Sequence, residues 1–86
     1  MYLVELSKSA EKSFMGLHKK NQLRIISALE GLSKDPFIGK KLQGPLKGLW
    51  SIRVIPLRVI YFIRKKTVTV SVVAIGDRKN VYKKLQ

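Results

Sequence analysis

The side chains able to do chemistry in these 86 residues are arginine, lysine and tyrosine, gathered late in the chain: Lys47, Arg53, Arg58, Arg64, Lys65, Lys66, Arg78, Lys79, Tyr82, Lys83 and Lys84. Such groups bind phosphate first of all, because a guanidinium offers a planar fork of donors and an ammonium a compact charge. Arg53 and Arg58 are the most informative. Each interrupts an apolar run, in WSIRVI and PLRVIY, where packing alone favours Val or Ile. A charge kept there has a partner or a cleft, or else it guards an exposed sheet edge against aggregation. Other chemistries lack their residues. Glu5, Glu11, Glu30, Asp35 and Asp77 are scattered, with no spacing that brings several carboxylates onto one metal ion. His18 stands alone and reads as a cation at the end of a surface helix, so neither a His/His pair nor a Ser-His-Asp set can form. There is no cysteine, and no glycine spacing matches a dinucleotide or P-loop motif. No metal site and no cofactor is expected.

Composition says where the partners of these cations lie. The 18 Lys+Arg against 5 Asp+Glu give a net charge of +13. Self-repulsion of that size destabilises a compact chain unless an anion outside it compensates. Nucleic acid, an acidic protein, an anionic membrane surface or simple solvation each fit the charge alone. The distribution is uneven: residues 1–46 hold 8 basic and 4 acidic residues (+4), and residues 47–86 hold 10 basic and 1 acidic (+9). With 45% hydrophobic residues there is material for one core, and the length leaves no room for a second domain. Residues 1–86 are therefore expected to form one domain. The start, MYLVELSKSAEKSF, has no signal-peptide core, and no apolar run nears the roughly 18 residues of a membrane span. A cytoplasmic protein without membrane association is expected.

The elements that must position the arginines follow from hydrophobic period. Residues 2–7, YLVELS, alternate Tyr2, Val4 and Leu6 against Leu3 and Glu5 as a short strand. Ala10, Phe14 and Leu17 mark an amphipathic helix over Ser9–His18, capped by Ser7 or Ser9. A second helix runs from a cap at Asn21 to about Lys34, with Leu23, Ile26, Leu29 and Leu32 as its apolar stripe and Asp35-Pro36 as its stop. Phe37–Gly48 reads as an irregular connection exposing Lys40, Lys41 and Lys47. The period then becomes two in LWSIRVI, LRVIYFI and TVTVSVVAI, which predicts three consecutive antiparallel strands with the central one buried on much of both faces. A short terminal helix over Val81–Leu85 is possible. The result is an α+β domain of order β-α-α-β-β-β, an antiparallel sheet packed against an N-terminal helix hairpin. In that sheet a hairpin at Pro56 sets Arg53 beside Arg58, and two like charges side by side repel unless an anion sits between them.

A set of motifs runs through these elements: Leu32-x-x-Asp35-Pro36, Lys41-Leu42-x-Gly44, Gly48-x-Trp50-x-Ile52-Arg53-Val54, Arg58-Val59-Ile60-Tyr61 and Ile75-Gly76-x-Arg78-x-x-Val81-Tyr82. The pattern closely resembles the RelE/ParE superfamily of toxins from prokaryotic toxin-antitoxin pairs, over nearly the whole chain. The resemblance implies a microbial-RNase-like α+β fold whose RelE branch enters the ribosomal A site and cleaves mRNA there. It implies metal-free attack of a ribose 2′-OH on the adjacent phosphate, leaving a 2′,3′-cyclic phosphate. By similarity, Arg53, Arg58, Arg78 and Tyr82 fall on that branch's functional positions. Arg78 would stabilise the pentacoordinate phosphate, Arg53 and Arg58 would hold or neutralise it, and Tyr82 would stack on a base or help activate the 2′-OH. Tyr82 also fits plain packing of the tail.

Chemistry supports the set, since preorganised cations stabilise charge that grows in the transition state and arginine cannot act as a base at neutral pH. The chain departs from the RelE pattern at Ser51, where that branch often has a lysine for which Lys47 could substitute. It departs again in the short Val54–Leu57 link containing Pro56. Lys40, Lys41, Lys47, Arg64, Lys65, Lys66, Lys79, Lys83 and Lys84 are the expected contacts to RNA and ribosome. The resemblance also implies a RelB-like cognate antitoxin wrapping the domain, and an acidic amphipathic segment suits an apolar groove beside the helix hairpin. The competing expectation is a ParE-like toxin that inhibits DNA gyrase without nuclease activity; the presence of Arg78 and Tyr82 argues for the nuclease. A third is an RNA binder with no activity, recognised by steeply salt-dependent binding.

Overall fold

A computed structural model describes residues 1–85. Strand β1 (Leu3–Leu6) leads into helix α1 (Lys8–Met15) and helix α2 (Lys19–Lys34). A two-residue strand β2 (Lys40–Lys41), flanked by single 3-10 turns at Pro36–Ile38 and Gly44–Leu46, precedes β3 (Trp50–Val54), β4 (Leu57–Arg64), β5 (Thr69–Asp77) and helix α3 (Arg78–Lys83). The sheet order is β1-β5-β4-β3-β2, with β1 parallel to β5 and every other pair antiparallel. The α+β class and the helix hairpin are as expected. The sheet itself is mixed and five-stranded, because β1 slots in beside the last strand and because Lys40 and Lys41, read as irregular, pair with Ser51 and Trp50.

Register sorts the side chains onto two faces. Ile52 faces Val59 and Trp50 faces Tyr61 across β3 and β4, while Val59 faces Ile75 and Tyr61 faces Val72 across β4 and β5. This face meets the helix hairpin and holds the main core, in which Ala10, Ile25 and Leu32 pack against Leu57, Val59, Tyr61, Val70, Val72 and Ile75. The opposite face is smaller: Ile60 and Ala74 meet Val81 of α3, with Leu42, Leu49, Tyr82 and Leu85 around them. Full burial of one such aliphatic side chain contributes about 1.5–3 kcal/mol, so α3 is held mainly by Val81.

The helix ends depart from the sequence reading for local reasons. Ser7 caps α1 by accepting from the Ala10 N–H at 3.1 Å, and Gly16 closes the helix before His18. His18 does not end α1. Its Nδ1 accepts from the Lys20 N–H at 3.3 Å and caps α2, displacing Asn21 from that role. The buried seam of α2 runs through Ile25, Leu29 and Leu32, whereas Leu23 and Ile26 are 58% and 42% exposed. Leu23 lies two residues from Ile25 and so on the far side of the helix, at about 100° per residue. At the other end, Asp77 caps α3 and starts it at Arg78, three residues before the expected Val81. Among the described residues, no helix is long and apolar enough to cross a membrane.

Candidate nucleic-acid interface

The link between β3 and β4 is a two-residue turn, Ile55–Pro56, and its brevity fixes the register. Arg53 and Arg58 are paired directly across the two strands, and Arg58 is paired in turn with Gly76 of β5. Directly opposed residues share a face, so both guanidinium stems rise from the side carrying Ile60, Ala74 and α3. Arg53 is exposed and Arg58 half-buried. Two residues past Gly76 the chain becomes helical at Arg78, which is exposed. Its position is locked by Asp77, whose Oδ1 accepts from the Asn80 N–H at 2.7 Å and whose Oδ2 accepts from Asn80 Nδ2 at 3.0 Å. One turn later Tyr82 lies half-buried against the Ile60–Ala74–Val81 cluster, on the same face. Three arginines and a tyrosine from β3, β4 and α3 thus gather at one end of the sheet. A cluster of this kind suits an oxyanion with a planar ring beside it.

A family model described as the ParE toxin of the type II toxin-antitoxin system parDE matches residues 4–82. The chain belongs to this toxin family. No curated protein matches it. In fold the toxin is similar to the toxin-antitoxin complex RelBE2 from Mycobacterium tuberculosis, at 26% identity and a TM-score of 0.83 over 90% of this chain and 98% of that one. It is also similar to the isolated RelE toxin of E. coli, at 21% identity and a TM-score of 0.79 over 99% and 95% of the two chains. The YoeB/ParE toxin from Agrobacterium tumefaciens gives 17% identity and a TM-score of 0.77 over 88% and 98%.

The toxin's other basic residues fall into separate groups. Lys79 and Lys83 are exposed on α3, and Lys83 lines a shallow pocket with Lys12 and Ser13 of α1. Lys84 is engaged: its Nζ donates to Ser13 Oγ at 2.8 Å and to the Ile75 carbonyl at 3.1 Å, tying the end of α3 to α1 and β5. Arg64 is held on the arginine face, its Nε donating to Ser71 Oγ at 3.2 Å and its guanidinium lying 4.9 Å from the Phe62 ring centroid. Ser71 Oγ in turn donates to Glu5 Oε1 at 2.8 Å. Lys40, Lys41, Lys47, Lys65 and Lys66 are exposed at the far end of the strands from the Ile55–Pro56 turn. Lys47 precedes β3 and Arg53 lies near its end, so Lys47 does not join the arginines as a replacement for a lysine at position 51.

Two features escaped sequence reasoning. Ser51, one pleat from Arg53 on the same face, is 6% exposed, and its Oγ has no hydrogen-bond partner. Tyr61 is fully buried with its hydroxyl donating to the Pro36 carbonyl at 2.7 Å, and burial pushes its pKa up to about 12. That shift leaves Tyr61 a structural donor. Gly39 belongs to the same knot, because a Cβ there would strike the Tyr61 hydroxyl and lie 2.9 Å from the Ser51 carbonyl oxygen. Only the alternation of the strands could have announced Glu5 and Ser71 as neighbours, and only once β1 was known to lie beside β5.

Proposed function

We propose that this toxin is an endoribonuclease that cleaves mRNA in the ribosomal A site and so inhibits translation. The observation that carries the reading is the row formed by Arg53, its facing partner Arg58 and, through Gly76, the first residue of α3, Arg78. Facing like charges destabilise a sheet and are relieved by a bound phosphate. Arg53 and Arg58 hold the scissile phosphate. The ribose 2′ oxygen attacks phosphorus and the bond to the 5′ oxygen breaks, leaving a 2′,3′-cyclic phosphate and a 5′-hydroxyl. A proton leaves the 2′-OH and one reaches the departing oxygen. The arginines move neither, since they stay protonated. Arg78 stabilises the added negative charge of the pentacoordinate state, where a single well-placed donor is worth about 10²–10³ in rate. Tyr82 stacks on a base next to the cleaved bond, its ring fixed from below by the apolar cluster.

Among the other cations, Lys40, Lys41, Lys47, Arg64, Lys65, Lys66, Lys79 and Lys83 draw the domain onto ribosomal RNA in the cytoplasm through long-range attraction. A RelB-like antitoxin neutralises it. The groove between β1 and α2, about 450 Å³ and lined by Met1, Leu3, Ile26 and Leu29, suits the apolar side of an acidic amphipathic segment.

Mapping mRNA 5′ ends in a translation extract tests the nuclease: new ends within translated codons are expected, and Arg78→Ala abolishes them while the fold persists by circular dichroism. Intact mRNA on active ribosomes refutes it. The match to the ParE toxin model favours a second reading, inhibition of DNA gyrase without RNA cleavage. A supercoiling assay with purified gyrase separates the two.

A further inference from the structure

The strand ends farthest from the arginines carry a different kind of site. A pocket of about 420 Å³ opens there, with Phe37, Leu42, Leu49, Trp50 and Ile63 among its walls and Lys41, Lys47 and Lys65 around it. Its aromatic residues form one packed series. The Phe37 and Trp50 rings meet edge to face with centroids 5.6 Å apart, and Trp50 stacks on Tyr61 at 6.3 Å with planes 22° apart. Phe37 is nevertheless 45% exposed. Two ammonium groups lie against these rings, Lys41 Nζ at 5.5 Å from the Trp50 centroid and Lys65 Nζ at 5.8 Å from that of Phe37. Aromatic walls beside three cations suit a ligand that is flat and apolar in one part and anionic in another.

We propose that this pocket is a second nucleotide subsite, which seats one base of single-stranded RNA against Phe37 and Trp50 while Lys41, Lys47 and Lys65 hold its flanking phosphates. The proposal rests on the reading of the toxin as RNA-directed and adds a contact remote from cleavage. From Arg58 to Ile63 is five residues of β4, about 17 Å at a strand's rise per residue. The phosphate at the arginines and the base in the pocket therefore belong to different nucleotides. Stacking of this type is sequence-tolerant, because every base has a π-face. The subsite thus lengthens the footprint on RNA without selecting a base.

Trp50 is the chain's one tryptophan, so its fluorescence reports on this pocket. The purified toxin is titrated with a short single-stranded RNA, with an abasic oligonucleotide of equal charge, with AMP and with an acidic peptide, and RNA affinity is followed in parallel by anisotropy of a labelled strand. RNA is expected to quench Trp50 and the abasic strand to leave it unchanged. Phe37→Ala is expected to weaken RNA binding about tenfold. Lys41→Gln/Lys65→Gln is expected to flatten its salt dependence. Arg53→Gln/Arg58→Gln is expected to weaken RNA binding overall, while saturating RNA still quenches Trp50. Equal quenching by the abasic strand reduces the site to phosphate contacts and overturns the proposal. Saturation by AMP as readily as by RNA makes it a free-nucleotide site, and quenching by the acidic peptide alone makes it a protein-docking surface; either overturns it. RNA cleavage with Trp50 silent defeats the pocket and spares the nuclease reading. Quenching without cleavage does the reverse.

Discussion

The facing arginines make a quantitative prediction about stability. Opposed residues on neighbouring strands have Cβ atoms about 4.5–5.5 Å apart, so the two arginine stems rise from adjacent points of one face and an anion between them draws both guanidinium groups together. At about 6 Å and an effective dielectric between 20 and 80, their repulsion is about 0.7–2.8 kcal/mol. The exposure of Arg53 places the pair toward the lower bound, about 1 kcal/mol. Arg58→Met keeps the apolar stem and removes the charge. The variant is expected to melt higher than the parent in low salt, by about 4–8 °C for a domain of this size, and the gap is expected to shrink as NaCl rises. An anion bound between the arginines does the same for the parent. At tenfold excess over its Kd it adds about 1.4 kcal/mol, and the melting temperature climbs by about 6–11 °C. Melting curves in inorganic phosphate, against NaCl of matched ionic strength, measure this. Lys79→Gln/Lys83→Gln controls for general charge. If phosphate raises the parent and Arg58→Met equally, or if Arg58→Met melts lower than the parent in low salt, the arginines do not form a strained anion site.

Other expectations concern the supports of the site. Removing the α3 cap by Asp77→Ala is expected to cost about 0.5–2 kcal/mol in thermal or urea unfolding and to reduce cleavage, because the segment that fixes Arg78 frays. The stability that Tyr61 contributes is expected to be full below about pH 10 and to be lost between pH 10 and 12, as the unfolded chain releases the Tyr61 proton while the folded one, with its pKa pushed up to about 12, retains it. Urea titrations across that range check this, and Tyr61→Phe is expected to lose the alkaline step along with the bond to Pro36. Tyr82→Phe is expected to keep mRNA cleavage and Tyr82→Ala to lower it about tenfold, as a stacking ring requires. Loss of cleavage in Tyr82→Phe would assign the hydroxyl a direct part.

Periodicity made the strands legible: WSIRVI and PLRVIY put two arginines at corresponding depths of a hairpin, and register then opposed them. Asp35-Pro36 marked the end of α2 because proline disfavours helix in the residue before it. What local sequence concealed was set by tertiary contact. Lys40 and Lys41 have no strand propensity and become β2 only because β3 offers an open edge. Leu23 and Ile26 completed a plausible stripe, but the sheet selected the seam through Ile25 and Leu32, leaving Ile26 in a groove beside β1. His18 reads as the last residue of α1 in sequence, but Gly16 closes that helix early and leaves His18 to cap α2. Of the candidate site, Arg53 and Arg58 followed from residue type and spacing, whereas the closeness of Arg78 depends on the pairing of Arg58 with Gly76, which no local pattern encodes.

The parallel seam between β1 and β5 has a temporal meaning. Leu3 to Leu6 find their parallel sheet partners in Thr69 to Val72, far along the chain. During translation, β1 therefore waits for β5, and the sheet beneath the arginines cannot be completed in a nascent fragment that ends before β5. The arginine cluster therefore assembles only once β5 has been made, which ties its appearance to a contact spanning most of the domain.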